Sequence, residues 1–205
     1  MTKSGKTGNV SFSLTGDKII IDWGDGTPTE TKGNLVLGAC SRTYSGGVHT
    51  IIIYGENITA LYCHGQELSE LNINACPSLV YLYADNNDLT VLNVSANPAL
   101  IDIYCLGNKL QSIDVSANTM LKQLYLYGNL LTNLVVSANA ELIYLSVADN
   151  AMQPAALNTL FGSLHNHSSP GTGKIEIGGN PGFIDCNKDL IPSGWVWCEY
   201  DIDDD

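Results

Sequence analysis

Residues 79–99 read LVYLYADNNDLTVLNVSANPA, and the next two stretches of equal length repeat the same arrangement. Residues 100–120 read LIDIYCLGNKLQSIDVSANTM, and residues 121–141 read LKQLYLYGNLLTNLVVSANAE. A more divergent copy, ITALYCHGQELSELNINACPS, occupies residues 58–78, and a partial copy, LIYLSVADNAM, begins at residue 142. Self-similarity at a fixed period of this size indicates a stack of structural units that bury their apolar side chains against one another.

Each unit has the same internal pattern of apolar and polar places. Apolar residues fall at the first, fourth, sixth, eleventh, fourteenth and sixteenth places, and asparagine recurs at the ninth and nineteenth. Alternation with period two predicts a strand whose fourth and sixth places point inward and whose third and fifth places face water. The second half repeats the alternation, which predicts a further short extended segment on the opposite side. Asparagines at the two bends are expected to form columns that satisfy backbone groups.

The pattern L-x-x-L-x-L-x-x-N-x-L resembles the leucine-rich repeat. Its short form, LTxLxVSxNxxL, is similar to that of secreted and surface proteins of gut Bacteroidetes and related bacteria. The resemblance covers residues 58–150 and implies a leucine-rich-repeat solenoid that is predominantly β. It also implies a binding or adhesion protein located outside the cell or on its outer surface.

Both ends of the repeat block carry different sequence, as expected for caps of a solenoid. Residues 153–164, QPAALNTLFGSL, have helical spacing with a proline near the helix start. Residues 174–177 alternate like a further strand, and this order of helix, strand and terminal GWVW is similar to the C-terminal cap of the same family. Residues 21–27 (IDWGDGT), followed by TYSGGVHTIII, resemble the later half of a PKD-type β-sandwich. We therefore predict a β-rich N-terminal cap (1–57), repeats (58–150) and a helix-plus-strand C-terminal cap (151–205), with the N-terminal sheet continuous with the first coil.

Composition restricts the partners and the location. The chain has 44% hydrophobic residues, so it is not disordered, and its net charge of -12 disfavours nucleic acid and anionic membranes. No apolar run approaches the roughly 20 residues that a transmembrane helix needs. The first residues contain no apolar signal region, so we expect any export signal or lipid anchor to lie ahead of residue 1. We expect a monomer.

Residues that suggest chemistry are few. Asp22 and Asp25 form a weak candidate calcium site, but a hairpin in which these carboxylates close the turn is the favoured interpretation. The triplet His165-Asn166-His167 spells part of a nuclease signature without the zinc framework that such a site needs. No nucleophile, zinc-protease or phosphate-loop motif occurs. We therefore predict no enzyme activity, no cofactor and no metal.

The cysteines fall into two groups. Cys63 and Cys105 occupy the inward sixth place, where they are expected to behave as small buried hydrophobic residues. Cys186 and Cys198 lie in the C-terminal cap, and a disulfide between them stays open because the sequence does not give their separation.

Tyrosine recurs at the fifth, outward-facing place of four consecutive units, in Tyr62, Tyr83, Tyr104 and Tyr125. These rings are expected to stack about 5 Å apart on the face of the sheet. Tyrosine supplies a large amphipathic contact area at low entropic cost, although an aromatic ladder can equally serve only to stabilise a sheet. The corresponding outward places of the second half are mostly small or polar. The candidate ligand-binding residues are Tyr62, Tyr81, Tyr83, Tyr104, Tyr125, Tyr127, Tyr144, Asp85, Asp102 and Gln123.

The predicted function is non-catalytic binding or adhesion, with a protein or glycan ligand bound to the tyrosine face at the bacterial cell surface. Two alternatives stay open. The chain could be a carbohydrate-binding component of a glycan-uptake system, or a structural spacer or accessory region of a larger protein.

Overall fold

The computed structural model describes residues 1–3 and 8–198. The N-terminal part contains strands β1 (Thr2–Lys3), β2 (Gly8–Asp22), β3 (Glu30–Tyr44), β4 (His49–Thr50), β5 (Ile52–Tyr62) and β6 (Leu68–Glu70). The following coils contain β7 (Tyr81–Tyr83), β8 (Asp102–Tyr104), β9 (Gln123–Tyr125) and β10 (Tyr144–Ser146). The C-terminal part contains α1 (Pro154–Ser163), β11 (Gly173–Glu176), a 3-10 helix (Lys188–Leu190) and β12 (Trp195–Cys198).

The main sheet is a stack of short parallel strands, one from each coil. Strand β5 pairs with β7, and the parallel pairing continues through β8, β9, β10, β11 and β12. Leu82, Ile103, Leu124 and Leu145 occupy one register position and are all fully buried. Each such side chain contributes roughly 1.5–3 kcal/mol through burial. The predicted leucine-rich-repeat solenoid, with its inward fourth place, is confirmed.

The N-terminal cap is an antiparallel extension of this sheet. Strand β2 pairs with β3 on one side and with β5 on the other, while the end of β5 pairs with the first repeat strand. The predicted continuity of the cap with the first coil is therefore present. The boundary drawn at residue 57 falls inside β5, which belongs to both parts.

The middle of the cap contains a long strand that the sequence does not reveal. Residues 30–44 form the edge strand β3. Its pairing with β2 contains register shifts, and Gly33 and Leu37 have positive φ angles of 72° and 49°. These irregularities interrupt the alternation of apolar and polar residues, so the strand leaves no clear period in the sequence.

In the units from residue 79 to residue 141, the side of each coil opposite the sheet has no strand pairing. The predicted extended segments at residues 89–94, 110–115 and 131–136 form no paired strand. The N–H groups of Leu89 and Leu110 donate to the side-chain oxygens of Asn108 and Asn129 in the next coil, at 3.1 and 3.0 Å. The carbonyls of the same two residues accept from the Lys109 and Leu130 N–H groups of the next coil at 2.9 Å, so asparagine side chains and single backbone bonds both link these segments.

The C-terminal cap has the predicted helix followed by strands. Helix α1 begins with a proline in its first turn and buries Leu157, Leu160 and Phe161 over the last coil. Cys63 and Cys105 are buried, and no disulfide forms within residues 1–3 and 8–198, where the Cys186 and Cys198 thiols donate to the carbonyls of Phe183 and Ile175. No helix in the described part of the chain is long and apolar enough to cross a membrane.

Candidate functional site

The tyrosine ladder, defined as Tyr62, Tyr83, Tyr104, Tyr125 and Tyr144, runs across five consecutive strands of the sheet. Successive ring centroids lie 4.5, 4.4, 4.1 and 4.4 Å apart, and the ring planes differ by only 13–21°. The rings are partly buried because they cover one another's faces. Because Tyr83, Tyr104 and Tyr125 each lie between two neighbouring rings, their exposed parts are ring edges and hydroxyl groups.

The ladder is one ring longer than the fifth place predicts, because Tyr144 joins it from the third place. Tyr144 pairs in register with Gln123, whereas Ser146 holds the position level with Tyr125. The Tyr144 ring nevertheless stacks on Tyr125, and Ser146 is only 1% exposed. The small side chain at the fifth place thus lets a neighbouring tyrosine continue the stack.

Glu176 closes the C-terminal end of the ladder. It lies level with Ser146 in the next strand and is only 3% exposed. The Tyr144 hydroxyl donates to Glu176 Oε1 at 2.5 Å, and Lys174 Nζ lies 3.5 Å from the same oxygen. Lys174 Nζ also lies 5.3 Å from the centre of the Tyr144 ring, which adds a cation–π contact.

Two further carboxylates flank the ladder beside Tyr83 and Tyr104. Asp102, at the third place, and Asp85, at the seventh, are partly buried. Burial raises the pKa of both carboxyls; a hydrogen bond from the Leu106 N–H partly opposes this at Asp85, and the charge of Lys122 partly opposes it at Asp102. One oxygen of each, Oδ1, is buried without a hydrogen bond. Both groups are therefore poorly hydrated acids beside the ladder.

The remaining predicted site residues lie on the same face. Tyr81 is 39% exposed at the third place, level with Asp102. Gln123 Oε1 accepts a hydrogen bond of 2.8 Å from the Tyr104 hydroxyl, so this group is partly engaged within the protein. Tyr127 is partly buried at the seventh place. Burial, followed by neighbouring ladder tyrosines, raises the pKa of Tyr83 and Tyr104, and both stay neutral near pH 7.

The weak calcium candidate lies in the N-terminal cap, away from the ladder. Asp22 Oδ1 accepts from the Gly24 N–H at 2.9 Å, as in a capped turn. Asp25 accepts from Thr27 and forms an ion pair with Arg42 at 2.7 Å, and these bonds, that from Arg42 first, hold its carboxyl pKa well below the usual range. The two carboxylates are engaged in closing the turn. Among residues 1–3 and 8–198 no group of three or more His, Cys, Asp or Glu side chains could hold a metal ion.

Sequence reasoning missed Lys174 and Glu176 as parts of the ladder surface. A signal was present in GGN at residues 178–180, which matches YGN at residues 127–129. Asn180 occupies the ninth place of a further coil, where its side chain donates to Val147 O at 2.8 Å. Aligning the two triplets places Glu176 at the fifth place, directly after the ladder.

Comparison with known proteins gives fold-level likenesses. No family model and no curated protein matches the chain. Among solved structures, the functional domain of InlJ from Listeria monocytogenes, described as including a cysteine ladder, is similar at 23% identity over 62% of this chain and 36% of that one, with a TM-score of 0.33. A leucine-rich-repeat protein of Leptospira interrogans matches at 22% identity, over 60% and 33%, with a TM-score of 0.45. An internalin, InlF, of L. monocytogenes matches at 18% identity, over 68% and 59%, with a TM-score of 0.33. This chain thus spans about a third to three fifths of those chains, and at such identities the likeness is one of fold.

Proposed function

We propose that the chain is a non-catalytic binding or adhesion module that uses the tyrosine ladder and its rim to contact a protein ligand at the bacterial cell surface. The observation that supports this most is the ladder itself, a row of five stacked phenol rings on the solvent side of a rigid sheet. Tyrosines are frequent among the residues that dominate protein interfaces. A rigid scaffold also loses little entropy on association, which leaves more of the contact energy for affinity.

A protein ligand suits the ladder better than a sugar does. Stacking of a sugar on an aromatic residue needs an uncovered ring face, and the faces of Tyr83, Tyr104 and Tyr125 are covered by neighbouring rings. The ladder instead offers alternating apolar ring edges and hydroxyl groups. Such a strip matches the mixed apolar and polar character of a protein surface.

The resemblances in the sequence supply the rest of the proposal. The short repeat is similar to that of surface proteins of Bacteroidetes, and the WGDGT segment is similar to a PKD-type sandwich. On this basis the chain acts outside the cell or on its outer surface, and we propose that it does so as a monomer.

The proposal is tested by binding of the labelled protein to arrays of extracellular proteins and of glycans. We expect selective binding to protein spots, and a loss of at least about tenfold in affinity in the Tyr83→Ala/Tyr104→Ala double variant. The matched control is Thr90→Ala/Thr132→Ala, which changes two exposed side chains on the opposite side of the coil. Equal binding by the two double variants would contradict the proposal. Tyrosine-dependent binding to glycan spots alone would select the glycan-uptake alternative, and no binding at all would select the spacer.

A further inference from the structure

Three carboxylates border the tyrosine ladder, and they differ in the partners that the protein gives them. Glu176 lies at the C-terminal end, whereas Asp102 and Asp85 flank Tyr83 and Tyr104 on opposite sides. Glu176 has partners within the protein, because Lys174 and the Tyr144 hydroxyl both contact its Oε1 atom. The ladder surface thus already contains one example of a cation seated between a carboxylate and a tyrosine ring.

Among the residues that the structure describes, the two aspartates have no cation in direct contact, although the charge of Lys122 acts on Asp102 from a distance. Neither Asp85 nor Asp102 forms an ion pair in the described part of the chain. The Oδ1 atom of each is shielded from water and lacks a hydrogen bond. The raised pKa of both carboxyls has the same cause, since burial removes water that would stabilise the charge. The other oxygen of each carboxylate belongs to a side chain that is still partly exposed on the binding face.

A poorly hydrated carboxylate is a favourable partner for an external cation. Much of the cost of removing its water is already met by folding, and attraction between charges is stronger where water is partly excluded. The two aspartates lie four places apart along adjacent coils, which is roughly 14 Å for an extended chain. The fifth-place ladder residues Tyr83 and Tyr104 lie between them, so each aspartate is assigned a cation of its own.

We propose that the partner of the tyrosine face carries two arginine side chains, one for Asp85 and one for Asp102, that bracket the ladder. This inference rests on the proposed function and specifies the chemistry of the partner surface. A guanidinium group donates in several directions at once, so it pairs with a carboxylate and also donates to a neighbouring tyrosine hydroxyl. The net charge of -12 attracts a basic partner over longer distances as well.

The test uses a synthetic peptide, Arg-Thr-Ser-Thr-Arg with blocked ends, whose arginines lie roughly 13 Å apart when the peptide is extended. The control peptide contains citrulline, the neutral isostere of arginine, at both positions. We expect the arginine peptide to bind with a Kd below about 1 mM at low ionic strength, and the citrulline peptide to bind at least about tenfold more weakly. Binding is followed by backbone amide shifts in nuclear magnetic resonance spectra.

Variants of the protein locate the site. Asp85→Asn and Asp102→Asn each keep the side-chain shape, and we expect each to weaken arginine-peptide binding about three- to tenfold. The matched control is Glu141→Gln, which removes one exposed carboxylate that is not at the third, fifth or seventh place. Unchanged thermal unfolding curves establish that the variants fold.

Three results would overturn the inference. They are equal binding of the arginine and citrulline peptides, equal binding of the arginine peptide to wild type and the double Asn variant, and no arginine-peptide binding up to about 1 mM. The outcome is separable from that of the proposed function. If the Asn variants keep full affinity for array-identified proteins and only Tyr83→Ala/Tyr104→Ala loses it, the ladder stands as the binding site and the arginine requirement falls. If the arginine peptide binds and the tyrosine variant keeps array binding, the proposed function falls instead.

Discussion

The two bends of each coil are built in different ways, although both carry an asparagine. At the first bend, directly after the ladder strand, the ninth-place Asn108 uses both ends of its amide. Its nitrogen donates to Ala84 O at 2.9 Å, Cys105 O at 3.2 Å and Leu106 O at 3.3 Å, and its oxygen accepts from the Leu89 N–H. At the second bend, Asn118 donates to Val94 O and Asn97 O, but its oxygen is buried without a partner.

The backbone differs between the bends as well. The residue before each ninth-place asparagine has a left-handed conformation, as in Gly107 (φ 63°), Gly128 (φ 65°) and Asn86 (φ 52°). No residue of the second bends has this conformation within the described repeats, and their own backbone closes them through bonds such as Leu121 N to Asn118 O at 3.1 Å. The first bend is therefore sharp and depends on the asparagine side chain. The second is an ordinary turn in which the side chain only links neighbouring coils.

This difference connects the scaffold to the proposed binding face. Ala84 and Cys105 directly follow the ladder residues Tyr83 and Tyr104, so the amide of Asn108 holds the ends of two ladder strands at a fixed spacing. The second bend lies away from the ladder. Damage at the first bend should therefore reach the ladder, whereas damage at the second should stay local.

Replacing Asn108 by Ala should have the largest effect. The change leaves the Leu89 N–H buried without its partner, at a cost of about 1–3 kcal/mol. It also removes one donor from each of the Ala84, Cys105 and Leu106 carbonyls, at about 0.5–1.5 kcal/mol per hydrogen bond, although each carbonyl keeps another donor. We expect a total loss of about 3–5 kcal/mol in unfolding free energy, measured by denaturant titration. We also expect a weaker near-ultraviolet circular dichroism signal from the tyrosines. An unchanged tyrosine signal would show that the first bend does not set the ladder spacing.

Replacing Asn118 by Ala should cost less. Two carbonyls lose a donor, but the buried and unpartnered oxygen disappears at the same time. We expect a loss of about 1–3 kcal/mol in the same titration, with the tyrosine signal retained. If this variant is as unstable as Asn108→Ala, the two bends contribute equally and the comparison fails.

The repeat period made the solenoid predictable, because one register fixes every inward residue from Leu82 to Leu145. The fifth-place tyrosines were predictable for the same reason. The position of the Tyr144 ring was not predictable, because Tyr144 occupies the third place of its unit and the ladder tyrosines of the other units occupy the fifth. Its ring stacks on Tyr125 beside the small side chain of Ser146, and its hydroxyl donates to Glu176, which lies 32 residues after Tyr144 in the chain.

The N-terminal strands were the hardest part to predict. Strand β3 contains register shifts against β2, and each shift exchanges the inward and outward sides in the sequence. The hydration of Asp85 and Asp102 was equally out of reach, because it depends on which neighbours cover each carboxyl oxygen. The sequence predicts which residues face outward, but not how much water each one keeps.

The smallest expected effect concerns the fifteenth place, just before the second bend. Asp114 Oδ1 accepts from the Ser116 N–H at 2.9 Å, as Asn93 does from the Ser95 N–H in the preceding coil. Hydrogen bonds from the Ser116 side chain and backbone lower the pKa of Asp114 below its ordinary value of 3.8. A lowered folded-state pKa contributes stability above the unfolded pKa and loses that contribution as pH falls through the folded pKa.

Asp114→Asn keeps a capping oxygen but cannot titrate, so it isolates the contribution of the charge. We expect Asp114→Ala to melt at a lower temperature than both wild type and Asp114→Asn at pH 7. We also expect the difference in melting temperature between wild type and Asp114→Asn to shrink as pH is lowered below 3.8. Melting curves of the three proteins between pH 7 and pH 2 provide the measurement. A difference that stays constant over this range would mean that the cap, and not the charge, stabilises the second bend, which would make all the second bends equivalent whether they carry Asn or Asp.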